Sequence, residues 1–219
     1  MARERKNRLI NDIIERELRV AAAIHARGRL IDIGCGEKPY REIFAPHVAE
    51  HVGVDHAETL HSMEAVDLVG TAYAIPVDDG TFDTGLCTAV LEHLEEPEAA
   101  IRECFRVLRP GGVAIYTVPL FWHLHEEPRD FYRFTKYGLA YLFDKAGFEI
   151  VGIKPLSGFW VTWGEMLAYY VDRLNKGVLR RVGVIDAVTS AIQKFAHLME
   201  RADRPERWTW AYLVVARKP

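Results

Sequence analysis

A short stretch with the sequence LIDIGCG, residues 30–36, holds residues whose types and spacing suit a nucleotide-type cofactor. An apolar strand ends there in a Gly-x-Gly turn, in which Gly34 permits the tight turn and Gly36 lets a ligand approach the backbone. A dinucleotide site has a third glycine three residues later, where this chain has Pro39. Asp32, two residues before the first glycine, suits a cationic amino group better than a pyrophosphate. These residues therefore favour a nucleoside cofactor that carries an amino acid.

Asp55 ends the second predicted strand, about 20 residues beyond the glycine turn. A carboxylate at that distance accepts hydrogen bonds from both ribose hydroxyls in nucleotide-binding α/β folds. A dinucleotide and a nucleoside that carries an amino acid share this need, so Asp55 predicts an adenosine ligand without choosing between the two. The alternative is that Asp55 only caps a turn, because Asp is a common turn residue.

Two groups of polar residues follow later strands and are candidates for chemistry on a second substrate. Glu92 and His93 come after the fourth predicted strand, at the edge where open α/β sheets bind ligands. His93 is a candidate proton acceptor because imidazole titrates near neutral pH, although the pair equally suits a structural helix start. The second group follows the fifth strand, where charged and aromatic side chains are interleaved without a regular period: His123, His125, Glu126, Glu127, Arg129, Asp130, Tyr132 and Arg133.

This second group suits a pocket that stacks a ring and pairs with hydroxyl or anionic groups. The alternative is that its arginines and Asp130 form ion pairs that only brace the loop, because exposed pairs are common and contribute little. We predict His93 and His125 as catalytic residues, and an acceptor-binding set that comprises Glu92, His125, Arg129, Asp130, Tyr132 and Arg133.

The elements that must position these residues alternate between strands and helices. That alternation is typical of an α/β fold with a mostly parallel sheet covered on both faces. The pattern further predicts an amphipathic helix up to about His25, a helix from Pro97 that Pro110 and Gly111 end, and a helix capped by Thr135 and ended by Gly147. The predicted strands are RLIDIG, HVGVD, AVDLVG, FDTGLCT, GVAIYTVP from near Val113, FEIVGI and WTWAYLVVARK.

Between the last two strands, apolar residues recur at helical spacing, which predicts a helical insertion at about residues 157–205. It includes Phe159, Trp163, Met166, Tyr170 and Leu174. The insertion could wall the acceptor pocket, mediate a homodimer, or lie on a membrane surface with basic residues towards the headgroups. Packing on protein is the favoured interpretation, because amphipathic stripes usually pack there.

Composition narrows the class of protein further. With 28 Lys and Arg against 31 Asp and Glu the net charge is −3, which argues against a nucleic-acid substrate. Cys35, Cys87 and Cys104 lack metal-ligand spacing, so we expect reduced thiols and no metal. The charged start, MARERKNRL, has no signal-peptide core, so we expect a cytoplasmic protein. The 219 residues suit one domain over residues 1–219.

In order, the motifs DIGCG, GVDH, GTAYAIPVDDGTFD, AVLEHLEEP and FRVLRPGG resemble the class I S-adenosylmethionine-dependent methyltransferases, type 11-like, over roughly residues 28 to 155. The resemblance implies a Rossmann-like sheet of seven strands, mostly parallel, whose last strand lies antiparallel beside the sixth. It implies that Asp32, Gly34 and Gly36, with Cys35 between them, hold the methionine part of S-adenosylmethionine, and that Asp55 binds the ribose.

Four further residues take roles only through this resemblance. The chain has Gly70-Thr71-Ala72 where the family has a Gly-Asp-Ala-like element at the adenine, so the contact there is expected from Thr71 and the backbone of Ala72. Cys87 and Thr88 fall where the family places residues beside the sulfonium. For Cys87, a small buried apolar role is the alternative.

The acceptor is left open by the sequence beyond a small-molecule, sugar or glycan type. HEEPRDFYRFT resembles a segment of bacterial methyltransferases thought to act in polysaccharide and secondary-metabolite pathways. One rival is a nicotinamide-dependent oxidoreductase or epimerase, against which stands Pro39 in place of the third glycine. The other is a cofactor-binding subunit that has lost its chemistry and supports a partner.

Overall fold

The computed structural model of the chain describes residues 5–59 and 62–219. The expectation that the N-terminus has no signal-peptide core rests in part on residues 1–4, which lie outside the described residues. The strands are β1 (Arg29–Ile33), β2 (Glu50–Asp55), β3 (Leu68–Val69), β4 (Phe82–Thr88), β5 (Leu108–Pro119), β6 (Glu149–Pro155) and β7 (Ala211–Arg217). The helices are α1 (Arg8–His25), α2 (Arg41–Phe44), α3 (Pro97–Val107), α4 (Lys136–Lys145), α5 (Phe159–Asp172), α6 (Gly177–Val182) and α7 (Val184–Ala202).

One seven-stranded sheet has the order β3-β2-β1-β4-β5-β7-β6. The first five strands in this order pair in parallel. The start of β5 lies beside the end of β7, because the Gly111 N–H donates to the Lys218 carbonyl at 2.8 Å. The end of β6 lies beside the start of β7, because the Leu156 N–H donates to the Ala211 carbonyl at 3.0 Å. β7 is therefore antiparallel to both neighbours, and the predicted mixed α/β sheet is confirmed.

The chain separates into two compact units, and the larger one comprises residues 17–120, 124–154 and 212–219. Its apolar core joins the central strands to α3 and α4, where Ile101 and Leu139 are fully buried and Tyr116 meets Phe143 edge to face at 5.1 Å. The buried apolar faces of strands and helices thus fix the sheet that carries the predicted site residues. That the whole chain forms one domain stays a prediction.

The predicted cap of α4 is confirmed, whereas the predicted end of α3 is wrong. Thr135 accepts a hydrogen bond from the Gly138 N–H at 3.1 Å. Helix α3 ends at Val107, before Pro110 and Gly111, because Leu108 is already extended and pairs with Phe82. Pairing resumes only near Val113 after a register shift, so Pro110 and Gly111 form an irregular stretch inside β5.

Among the described residues, the smaller unit comprises residues 5–16, 121–123 and 155–211, and it contains the predicted helical insertion as α5, α6 and α7. Helices α5 and α7 approach closely at Gly164, where an added Cβ would lie 2.4 Å from the Ala196 Cβ. No helix within residues 5–59 and 62–219 is long and apolar enough to cross a membrane.

Candidate active site

The glycine turn after β1 has the backbone that its sequence predicts. Gly34 and Gly36 have φ values of +68° and +47°, in the left-handed region that glycine adopts at little cost. A Cβ at Gly34 would lie 2.6 Å from the Val90 Cγ2, so a larger residue would collide with the segment that follows β4. The turn is fixed to β2 because the amides of Gly34 and Cys35 both donate to the Val54 carbonyl.

Asp55 lies at the carboxyl end of β2 and contacts this turn directly. Its Oδ2 accepts the Gly36 N–H at 2.9 Å, and its Oδ1 accepts the His56 N–H at 2.8 Å. A carboxylate offers about four acceptor positions, so two remain for ribose hydroxyls. The donor set therefore fits an adenosine cofactor. Asp55 also positions the turn, so ribose binding and a structural role in the turn, which the sequence analysis gave as alternatives, are compatible.

Asp32 is buried on β1, and sequence reasoning missed its partner. The Oδ2 atom of Asp32 lies 3.0 Å from the Nε2 atom of His51, which sits on the neighbouring strand β2. Burial raises the pKa of Asp32, and the contact with His51 opposes that rise. Below them, buried Lys38 pairs with Asp67, whose carboxylate also accepts the Gly53 N–H at 2.7 Å. The signal for His51 was its position directly before the buried apolar residues of β2.

The remaining predicted cofactor residues have contrasting environments. Thr71 is exposed and accepts the Tyr73 N–H at 3.3 Å, and Ala72 follows it half-buried. Cys87 is buried, and burial raises the pKa of its thiol well above the ordinary value, so the thiol stays neutral. Thr88 pairs with Thr117 at the carboxyl end of β4. Their contacts with the cofactor stay predictions.

Glu92 is a buried carboxyl group at the start of the acceptor side. Its side chain is 1% exposed, and its Oε2 atom has no hydrogen-bond partner among the described residues. Burial raises the pKa of Glu92 to about 8. Its backbone carbonyl accepts the N–H groups of Phe131 and Tyr132 at 2.9 and 3.2 Å, which ties the long loop after β5 to this position.

The two predicted catalytic histidines lie together. The rings of His93 and His125 meet edge to face, with 4.6 Å between centroids. Nδ1 of His93 lies 2.5 Å from the Arg129 carbonyl, so Nδ1 carries the proton and Nε2 is the acceptor. That Nε2 lies 3.9 Å from carboxylate oxygens of both Glu92 and Glu126. Sequence reasoning noted Glu126 only as one loop residue among several.

The rest of the predicted acceptor set divides into a buried pair and an exposed part. Asp130, whose side chain is 2% exposed, pairs with Arg133 through two contacts of 2.6 and 2.8 Å and accepts the His125 N–H at 3.0 Å. Hydrogen bonds from Arg133 hold the pKa of Asp130 well below its usual range. Arg129 instead reaches exposed Glu58 at 3.2 Å. The Tyr132 hydroxyl donates to the Glu95 carbonyl. Asp130 and Arg133 thus position His125 within the loop.

A cavity of about 630 Å³ lies on the larger unit but away from these residues. Arg29, His51 and Phe82 are among its lining residues, and Arg29 and Phe82 are the first residues of β1 and β4. It includes neither Asp55 nor Glu92, so it does not define the candidate site.

Comparison with known proteins gives concordant matches. A family model described as "Methyltransferase domain" matches residues 31–116. Ubiquinone biosynthesis O-methyltransferase from Idiomarina loihiensis is 26% identical over 68% of this chain and 74% of that protein. The protein of the same name from Alkalilimnicola ehrlichii is 30% identical over 52% of this chain and 48% of that protein. A SAM-dependent methyltransferase structure from Archaeoglobus fulgidus has a TM-score of 0.60 at 17% identity, covers 94% of each chain, and shows the shared fold.

The mixed seven-stranded sheet defines an α/β protein, and the glycine turn and Asp55 at the carboxyl edge of its strands fit an adenosine-type cofactor. The fold and these matches support a class I S-adenosylmethionine-dependent methyltransferase, as the resemblance of its motifs implied. Its cofactor is S-adenosylmethionine, and it is a methyltransferase enzyme. The nicotinamide and non-catalytic alternatives are therefore set aside.

Proposed function

We propose that this enzyme methylates a hydroxyl group of a small-molecule, sugar or glycan-type acceptor bound beside Glu92, His93 and His125. The observation that carries this proposal is the position of these residues next to the cofactor turn. Strands β1 and β4 are parallel neighbours, and Gly34 lies against Val90, two residues before Glu92. The two relatives described above are named as O-methyltransferases, which supports oxygen as the atom methylated.

The chemistry assigned to the chain is orientation and proton transfer. The bound cofactor would supply the methyl group from its sulfonium, and the sulfur would become a neutral thioether as the methyl group moved to the acceptor oxygen. The acceptor hydroxyl loses its proton in exchange, and Nε2 of His93 is placed to take it because Nδ1 already donates to the Arg129 carbonyl. His125 and Arg129 lie in the same loop and are placed to orient the acceptor.

Methyl-labelled S-adenosylmethionine and a panel of phenolic and saccharide acceptors test this proposal. For the acceptor that is labelled, His93→Gln should lower kcat by about 10²–10⁴-fold, the usual contribution of a positioned base. Arg129→Ala should raise KM instead, because its side chain is exposed and braces little. Cofactor affinity should stay unchanged in both variants, and the exposed-histidine variant His47→Gln is the matched control.

Full kcat in His93→Gln would exclude His93 as the base. A panel with no labelled product would exclude these acceptor classes. Cofactor affinity that falls together with the melting temperature in either variant would instead assign the residue a bracing role.

We further propose that the smaller unit contacts an anionic membrane surface. Its two long helices bury polar residues in their seam, where Gln193 approaches buried Glu165 at 3.3 Å. Many of their large apolar side chains are exposed instead, among them Trp163, Met166, Leu167, Tyr170, Val188, Phe195 and Leu198. This distribution is the reverse of that of a helix packed only on its own protein, and it favours an apolar partner.

The charge of the connecting segment favours lipid over a second copy. Val178, Leu179 and Val182 in and around α6 are exposed, and residues 173–184 contain four cations and no acid: Arg173, Lys176, Arg180 and Arg181. Exposed aliphatic groups flanked by cations suit the interface of an anionic membrane. A homodimer through this surface is the competing outcome.

The three buried free thiols suit the reducing cytoplasm, where we propose that the enzyme acts.

A further inference from the structure

The geometry points to a divalent metal site formed by Glu92, His93 and His125. One ligand atom from each of these residues lies within 4.8 Å of the other two. A single ion at the centre of such a group would be about 2–2.2 Å from each ligand atom after small side-chain rotations. The three residues come from the turn after β4 and from the loop after β5, so only the fold brings them together.

Both histidines have the outer contacts that metal-binding imidazoles use. Nδ1 of His93 donates to the Arg129 carbonyl, which directs Nε2 towards Glu92. Nδ1 of His125 lies 3.5 Å from the carboxylate of Asp130, and Asp130 is itself fixed by Arg133. A carbonyl or carboxylate on the second ring nitrogen fixes the tautomer and raises the basicity of a ligating histidine.

Glu92 supplies an independent observation in favour of a cation. Its carboxyl group is 1% exposed, and its Oε2 atom has no hydrogen-bond partner among the described residues. Burying a carboxylate without a partner is costly, and a bound cation would remove that cost.

The ligand types define the class of ion. Two imidazoles with a carboxylate match zinc and neighbouring first-row transition metals, whereas magnesium prefers an all-oxygen set. Glu126, whose Oε2 lies 3.9 Å from Nε2 of His93 and whose side chain is 44% exposed, is placed as a fourth ligand. If Glu126 turns away, that position is open to water or to an acceptor oxygen.

This inference stands on ligand geometry and does not depend on the identity of the acceptor. A bound ion would occupy the lone pair of Nε2 of His93, so in the metal-loaded enzyme the ion, and not His93 as a free base, would promote loss of the acceptor proton. It revises the sequence-based expectation of no metal, which considered the cysteines and the contiguous Cys and His patterns. Glu92 and His93 are adjacent in the chain, but His125 lies in a later loop, so no motif of metal-ligand spacing is visible in the sequence.

The test is a titration of the chelator-treated full-length chain with Zn²⁺ in competition with a chromophoric chelator. We expect one tightly bound ion per chain, with affinity reduced at least about 100-fold in His93→Gln and His125→Gln. Asp130→Asn should reduce it by about 10–100-fold, as for other outer contacts of metal ligands. The exposed-histidine variant His47→Gln should bind as the wild type does.

Lack of one-to-one Zn²⁺ binding would overturn the inference, as would binding that His93→Gln and His125→Gln leave unchanged. Binding of Mg²⁺ in preference to Zn²⁺ would overturn the assigned ion class. If His93→Gln does not fold, His125→Gln still tests the site, because it changes only a loop residue. Calorimetry with S-adenosylhomocysteine on each variant separates this result from the enzyme's cofactor binding: intact cofactor affinity without metal binding refutes the metal site alone.

Discussion

Replacing Asp55 separates its two functions, because its carboxylate both fixes the glycine turn and faces the predicted ribose position. Asp55→Ala removes the acceptor of the Gly36 N–H, which lies 2.9 Å from Oδ2 in a buried setting. An unsatisfied buried amide costs about 1–3 kcal/mol, so the free energy of unfolding should fall by that amount. Loss of charged hydrogen bonds to the ribose should weaken S-adenosylmethionine binding by about 1–3 kcal/mol as well, about 5- to 150-fold in Kd.

Asp67→Ala is the matched control for this perturbation. The Asp67 carboxylate also accepts a backbone N–H of β2, that of Gly53, at 2.7 Å, but it lies at the start of β3 and not at the carboxyl edge of the sheet. Asp67→Ala should lower the free energy of unfolding, whereas its affinity for the cofactor should stay close to that of the wild type. Asp55→Asn keeps one carbonyl oxygen for the turn, so it should lose less stability than Asp55→Ala while still losing affinity for the cofactor.

The assays are isothermal calorimetry with S-adenosylhomocysteine and chemical denaturation of each variant. Wild-type affinity in both Asp55→Ala and Asp55→Asn would refute the ribose assignment and leave Asp55 as a turn residue. Equal losses of affinity in Asp55→Ala and Asp67→Ala would show that general destabilisation accounts for the effect.

Two further predictions concern the smaller unit. Burial raises the pKa of Glu165 to about 8, so the native chain holds a proton that the unfolded chain releases above about pH 4.5. The contribution of Glu165 to stability should therefore fall as pH rises from about 5 to 8, by at most about 4–5 kcal/mol. Melts of Glu165→Gln should show a smaller fall than the wild type, and the part that remains is expected from buried Glu92, whose pKa is also raised to about 8. Sedimentation should show salt-sensitive binding to vesicles with anionic lipid, reduced about 10-fold or more by Val182→Asp or Arg180→Glu but not by Ile24→Asp, a matched exposed site on α1. A concentration-dependent dimer that Val182→Asp dissociates, without vesicle binding, would favour the homodimer.

The sequence alone determined the features that depend on neighbouring residues. Apolar runs that alternate with helical segments predicted the strands, Thr135 predicted the cap of α4, and the glycines after β1 predicted a tight turn, because each depends on local backbone preferences. The end of α3 was mispredicted for a tertiary reason. Leu108 gains a strand pairing with Phe82 that outweighs two more residues of helix.

Only the tertiary structure decided which distant side chains meet. Nothing in the local pattern pairs His51 with Asp32, or brings His125 to His93, because these contacts depend on strand register and on hydrogen bonds that tie the loop to Glu92. The outward direction of the apolar residues on α5 and α7 was equally hidden. Helical spacing shows that a stripe exists, but close packing at Gly164 decides which face is buried.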